Sequence, residues 1–281
     1  MLIRLGYDIR FFFPVRTPVV TLLHVHPSRE KDLREPDSLV IEPHVPVDHY
    51  IDSFGNHCGR FVAPAGYLRL FSASLIEDPR TPDPINLSAR EVPVEELPTD
   101  TLRFLLASRY CESDVLSNTA AQLFGHVPRG WERVQTIVDW AHNKITFDYN
   151  SARPTKTAVE VMNEGRGVCR DFQHLAITMC RCLNIPARYA TGYMGDIDWV
   201  VPPAPMDFSA WFEAYLEDRW WTFDARNNKP RVGRVLMATG RDAADVALTT
   251  SFGQADLMQF TVVSDEVLQP PSVFNSSAAA F

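Results

Sequence analysis

The amino-acid sequence predicts an α+β fold, with a β-sandwich ahead of a mixed helix-and-sheet region. Three observations carry this. Apolar residues alternate with period two through most of residues 1–97. Between residues 101 and 183 they recur at three- and four-residue steps, the spacing of an amphipathic helix. Beyond residue 187 the period of two returns, rich in aromatic side chains and broken by tight turns. A chain of 281 residues is long enough for two modest domains, each with a core. The expected organisation is a β-rich sandwich domain over residues 1–97, a second domain over 98–268 and a disordered tail over 269–281.

Taken in order, Ile3, Leu5, Tyr7, Ile9, Phe11 and Phe13 alternate strictly, as in a half-buried strand. Pro14 and Pro18 bracket a turn, and Val19, Thr21, Leu23 and Val25 keep the period. A polar loop at 27–38 precedes a strand starting at Leu39. Phe54-Gly55-Asn56-His57 has the composition of a hairpin turn between strands near 49–53 and 60–62. Residues 67–75 form a further strand. Residues 79–98 are rich in Pro, Asp and Glu and read as an interdomain linker whose charge is solvated. Helices are expected at 101–110, 112–124 and 130–144, the last with a stripe of Val134, Ile137, Val138 and Ala141. A short helix at 157–162 ends at Asn163-Glu164-Gly165. Residues 187–193 are a strand, 200–205 a proline-rich loop. Residues 208–216 and 219–224, joined by Glu217-Asp218, read as a hairpin. Residues 232–238, 246–250 and 257–263 add strands.

Composition narrows the function. Apolar residues make up 46% and charged residues 22%, as in soluble globular proteins. A net charge of −8 with acid and base interspersed argues against a nucleic-acid groove or an anionic-membrane surface. The opening MLIRLGYDIRFFF is interrupted by Arg4, Asp8 and Arg10, unlike a signal peptide, so a cytoplasmic location is expected. Five cysteines (58, 111, 169, 180 and 182) in no framework spacing imply reduced thiols. His24, His26, His44, His49 and His57 have no carboxylate or thiol at ligand spacing, so solvated or locally hydrogen-bonded histidines are expected, with no metal centre and no cofactor.

The most informative stretch is Gly165 to Leu183. Two glycines and Cys169 precede a helical pattern whose apolar face is Phe172, Ala176, Met179 and Leu183. Cys169 therefore occupies the first helical turn, where free N–H groups and the macrodipole favour a thiolate. Arg170 adds to this if its side chain turns back. The glycines let the backbone approach whatever the sulfur attacks.

The motifs GVCRDFQHL (167–175), MDFSAWFEAYL (206–216) and WWTFDAR (220–226) resemble those of the transglutaminase-like superfamily in order, spacing and flanking aromatics. The family pattern is G-x-C-R-D-F-A-H-L, then D-F-H-A-W-x-E, then W-x-x-F-D. The likeness runs from about Trp131 to Arg226, and the first hundred residues resemble the N-terminal region of bacterial members. It implies a papain/transglutaminase-like core, with a nucleophilic Cys opening a helix packed on an antiparallel sheet. The following strands carry a His and an Asp. By position, Cys169 and Asp224 carry over, whereas Ser209 stands where the family places its His. No histidine follows His174 in the chain.

A thiol nucleophile needs a proton acceptor and its leaving amine a donor. A serine hydroxyl is neither near neutral pH. With no imidazolium to stabilise, Asp224 near the sulfur would raise the thiol pKa. His174 lies roughly 140° round the helix from Cys169 and should face away. Asp171, Asp207, Trp211 and Glu213 are candidates to line the cleft, with Asp171 free to cap its own helix and Glu213 sharing a strand face with Ser209. The Cys169 N–H, at the helix N-terminus beside Arg170, is the simplest oxyanion donor. Trp199, Trp211, Trp220 and Trp221 offer surface for an acyl tunnel, of which at most two would meet substrate. Two readings follow. One is a thiol acyl-transfer enzyme that hydrolyses peptide, isopeptide or amide bonds through Cys169 by an altered mechanism. The other is a catalytically silent relative that binds a peptide or protein partner in the former cleft.

Overall fold

The structure is a computed structural model and describes residues 1–198 and 206–267. The proline-rich loop at 200–205, Trp199 and the tail at 269–281 lie outside these residues. Seven strands come first: β1 (Leu2–Phe13), β2 (Thr17–Thr21), β3 (Leu33–Glu35), β4 (Val40–Glu42), β5 (Asp48–Ile51), β6 (His57–Ala63) and β7 (Gly66–Glu77). Helices α1 (Ser113–Phe124) and α2 (Trp131–Lys144) follow, then strand β8 (Thr146–Phe147), helix α3 (Ala158–Glu164), strand β9 (Arg166–Gly167) and helix α4 (Cys169–Cys182). The chain continues through β10 (Ala187–Met194), β11 (Ser209–Leu216), β12 (Arg219–Phe223), β13 (Arg234–Gly240), β14 (Thr249–Ser251) and β15 (Asp256–Glu266).

Strict alternation in β1 puts Ile3, Leu5, Tyr7 and Ile9 on one buried face. One sheet runs β15-β1-β7-β3, with β4 also on β7; a second runs β14-β2-β6-β5. Their inner faces share a core that includes Leu23, Phe61, Leu68 and Leu70. The strands at 249–251 and 256–266, which the sequence assigned to the second domain, pair with β2 and β1. Period-two alternation identifies a strand but not the edge it joins. A third sheet, β12-β11-β10-β13, has α4 on one face, where Ala210, Phe212, Ala214 and Leu216 meet the helix core. Its other face packs on the sandwich through Tyr193, Val235 and Met237. The helix-on-sheet core and the β-sandwich are thus built against each other.

Three expectations change. Residues 101–110 hold only a short 3-10 turn, Leu102–Phe104. Of their apolar side chains Phe104 is buried while Leu102 and Leu106 are exposed, so no continuous face exists to stabilise a helix. Part of the charge in the 79–98 linker is paired rather than solvated, while Glu95 and Glu96 are exposed as expected. Asp83 accepts from Arg234 Nε (2.8 Å), and Glu91 from Arg133 Nη1 (3.2 Å). The strand expected through Val25 leaves its ladder after Thr21. Leu22 N–H then donates to Leu248 (3.0 Å) and His26 N–H to Leu236 (2.9 Å).

Candidate active site

The segment before α4 is built to hold Cys169 still. Helix α3 starts with a capping box, Thr157 accepting from Glu160 N–H and the Glu160 carboxylate accepting from Thr157 N–H. It stops at Gly165, whose φ of +62° is left-handed. The next two residues pair with β8, and Asp148 N–H donates to Gly167 (3.0 Å). Val168 is extended. Asp171 then accepts from Val168 N–H (2.9 Å), so α4 begins at Cys169. A Cβ at position 167 would stand 2.6 Å from the Asp171 Cβ, which requires glycine there.

Cys169 is half-buried and faces a cavity of about 190 Å³ lined also by Tyr189, Thr191, Asp207, Ser209 and Leu248. Burial pushes its thiol up, helped by the negative charges of Asp207 and Asp224. The Arg226 guanidinium and a hydrogen bond from Arg170 N–H act in the opposite sense without prevailing. Asp207 remains exposed to solvent, yet its neighbours desolvate it enough to push its carboxyl up, against the Phe208 N–H and Arg226. Among the described residues lining the cavity there is no imidazole.

Asp224, just past β12, is outside the lining of this cavity, although its charge reaches the Cys169 thiol. Its Oδ1 accepts from Gln173 Nε2 (3.2 Å), Arg226 N–H (3.0 Å) and Asn227 N–H (3.0 Å). Its Oδ2 accepts from Asn227 Nδ2 (2.8 Å) and Arg234 Nη2 (2.9 Å). Burial opposes its charge, but Arg234 and Asn227 outweigh it and hold the carboxyl below the ordinary range. Gln173 links the two places. It sits one turn along α4 from Cys169, donates to Ala210 O (3.2 Å) as well as to Asp224, and accepts from Ala225 N–H (3.1 Å).

A model of the transglutaminase-like superfamily core matches residues 117–225. The crystal structure of a candidate cysteine protease from Cytophaga hutchinsonii is 31% identical and superposes with a TM-score of 0.81, over 96% of this chain and 93% of that one. The chain belongs to the transglutaminase-like superfamily. An uncharacterised protein of Mycobacterium leprae is 31% identical over 125 residues, 43% of this chain and 44% of that protein. This chain therefore aligns with less than half of that relative's length. Among the described residues no helix is long and apolar enough to cross a membrane.

Against the transglutaminase-like pattern, the structure divides the residues that the sequence grouped. Cys169, Ser209 and Asp207 share a cavity. Asp224 lines a different one of about 290 Å³, with Trp131 and Asn228. Trp211 and Glu213, expected beside Ser209, line a third cavity with Arg234 and Leu236, and Glu213 is paired with Arg188 at 2.5 Å. Asp171 is fully buried as a helix cap and does not line the cleft. The Arg170 side chain turns to Arg153 O (2.7 Å) and Asp171, so only its N–H serves the sulfur. The thiolate favoured by the helix start is thus outweighed by burial. His174 faces away as expected, buried, stacked on Tyr110 and accepting from Ala243 N–H (3.1 Å). None of Trp211, Trp220 and Trp221 lines the Cys169 cavity.

Gln173, Arg226, Asn227 and Arg234 were not singled out in the sequence. Only Gln173 carried a signal, an uncharged polar residue one turn beyond the thiol on a helix that is otherwise buried there.

Proposed function

We propose that the chain is a thiol acyl-transfer enzyme that hydrolyses peptide or isopeptide bonds through Cys169, with Asp207 as proton acceptor in place of an imidazole. The reading rests on one observation: the Cys169 thiol and the exposed Asp207 carboxyl line the same cavity, with no imidazole among its described lining residues. Similarity to the Cytophaga hutchinsonii candidate protease over nearly the whole chain supports hydrolysis as the outcome. The Cys169 proton passes to Asp207 as sulfur attacks the carbonyl carbon. The oxyanion takes the Cys169 N–H, which at the first turn of α4 has no intrahelical acceptor. Asp207 returns the proton to the leaving amine, and water then cleaves the thioester. A raised carboxyl is a better acceptor than an ordinary one, but weaker than imidazole, so turnover is slow.

A second reading, a silent relative that holds a peptide in this cavity, is favoured by the raised thiol and by the five donors that already occupy Asp224. Purified protein assayed on acyl-peptide amides separates the two. Turnover that disappears in Cys169→Ala supports the enzyme. Peptide binding without turnover, unchanged in Cys169→Ala, supports the silent protein and overturns the first reading.

A further inference from the structure

Outside the Cys169 site, three histidines from different segments meet at one place. His24 follows β2, His49 lies on β5 and His57 opens β6. Their ring nitrogens include three that lie within 4.8 Å of one another. His57 Nε2 and His49 Nδ1 are 3.3 Å apart. That is the nitrogen–nitrogen edge of a tetrahedral ion with bonds of about 2.0–2.1 Å. The rings of His24 and His57 stack at 4.1 Å and His49 meets both edge-on, so the three are in contact, and binding one ion requires the partly exposed His57 ring to turn out of the stack.

His24 makes this more than a surface cluster. It is 4% exposed. Its Nδ1 lies 3.1 Å from the Asp37 carbonyl, an acceptor only, so Nδ1 carries the proton. The Asp37 carboxylate stands behind it at 3.6 Å and is itself fixed by Val25 N–H and Ser72. Nε2 is then a bare lone pair, and it is buried with no hydrogen-bond partner. A buried acceptor without a partner costs roughly 1–3 kcal/mol, so it calls for a ligand. An imidazole whose outer N–H is held by a carbonyl or carboxylate, with its inner nitrogen left free, is the arrangement of a metal-ligating histidine.

We propose that His24 Nε2, His49 Nδ1 and His57 Nε2 bind a borderline divalent cation of the Zn²⁺ class, with water in the fourth position on the exposed side of His49. Three imidazoles and no carboxylate in the ligand set disfavour Mg²⁺ and Ca²⁺, which prefer oxygen. The ion clips the segment after β2 to the β5–β6 hairpin, beyond the point where the β2–β6 ladder ends at Thr21 and Gly59. The sequence alone hid this site because spacing along the chain says nothing about a ligand set drawn from three separate segments.

The test uses the full chain, stripped with chelator and carrying Cys169→Ser and Cys182→Ser so that the two half-buried thiols do not compete. Zn²⁺ is titrated against a chromophoric indicator, and Co²⁺ is added separately as a spectroscopic probe. The expected result is one equivalent bound, a rise in melting temperature and tetrahedral visible bands of Co²⁺ without thiolate charge transfer. His49→Ala and His57→Ala each weaken binding by about tenfold or more. His44→Ala, at an exposed histidine outside the cluster, leaves it unchanged. Since His49 is exposed, His49→Ala keeps the metal-free melting temperature, which separates ligand loss from misfolding. No binding at zinc up to roughly 100 µM overturns the proposal. Binding that survives both His49→Ala and His57→Ala, or a cobalt spectrum with thiolate charge transfer, does so equally.

Discussion

Two aspartates near the end of the helix-on-sheet core have opposite surroundings. Asp224 is buried under five donors and tied to Arg234, which keeps it ionised and still. Asp207 sits at the rim of the Cys169 cavity, where desolvation raises its affinity for a proton. The family motif identifies Asp224, yet its lone pairs are committed to holding β12, α4 and β13 together. The flanking Asp207 is the group with capacity left for chemistry. Sequence position marks where a carboxylate belongs in the fold; its hydrogen bonds decide what it does there.

The sharpest way to break this contrast is Asp207→Asn. Loss of the proton acceptor should lower hydrolysis by about 10²–10⁴-fold. The same change removes a negative charge that raises the Cys169 thiol. Iodoacetamide labelling at neutral pH should therefore become faster while turnover collapses. If both rates fall together, Asp207 supports the local structure and is no base. Wild-type labelling should rise with pH past the ordinary thiol value of about 8.5, because burial pushes Cys169 up.

Asp224→Ala should act on stability instead. Removing one partner of a buried pair leaves Arg234 short of an acceptor and should cost about 3–5 kcal/mol, measured by urea unfolding. Arg234 keeps Asp83, so the lower end of that range is expected. The pH dependence follows in sign. The folded Asp224 pKa lies below the unfolded carboxylate value of about 3.9. Its contribution is thus present above that value and lost as pH falls through the folded pKa. Asp224→Asn should flatten the acid side of the stability curve, because the stability it removes is lost in full above about pH 5 and vanishes at the acid end. A curve unchanged in shape would mean that the carboxylate is not charged in the fold.

Much of this was legible in the sequence. The alternation of β1, the helix opening at Cys169 and the β11–β12 hairpin all follow from local periods and turn residues, which neighbouring positions determine. What failed were statements about partners distant in the chain. Glu213 shares a strand with Ser209, but its partner Arg188 is set by the β10–β11 register, and the cavity it lines also takes residues from the sandwich and the 79–84 segment. Asp83 looked solvated because Arg234 is 151 positions away. Asp224 was placed correctly on its strand end, while the donors that saturate it come from α4, the loop after β12 and β13.

The smallest effect sharpens the comparison most, because it concerns one charge seen by both the thiol and Asp207. The Arg226 guanidinium lies over the Phe147 ring at 4.1 Å and draws down the pKa of Cys169 and of Asp207. Arg226→Gln should raise both: slower labelling at a given pH, and an acid limb of the hydrolysis profile moved toward neutrality. The backbone N–H of residue 226 still reaches Asp224 Oδ1 in that variant, so urea stability should change little. In Asp207→Asn/Arg226→Gln the two charge changes oppose each other at the sulfur. Labelling should return toward the wild-type rate while hydrolysis stays lost. A double variant that labels as slowly as Arg226→Gln alone would mean that Asp207 and Cys169 do not share one electrostatic environment, and the proton-acceptor role would fall with it.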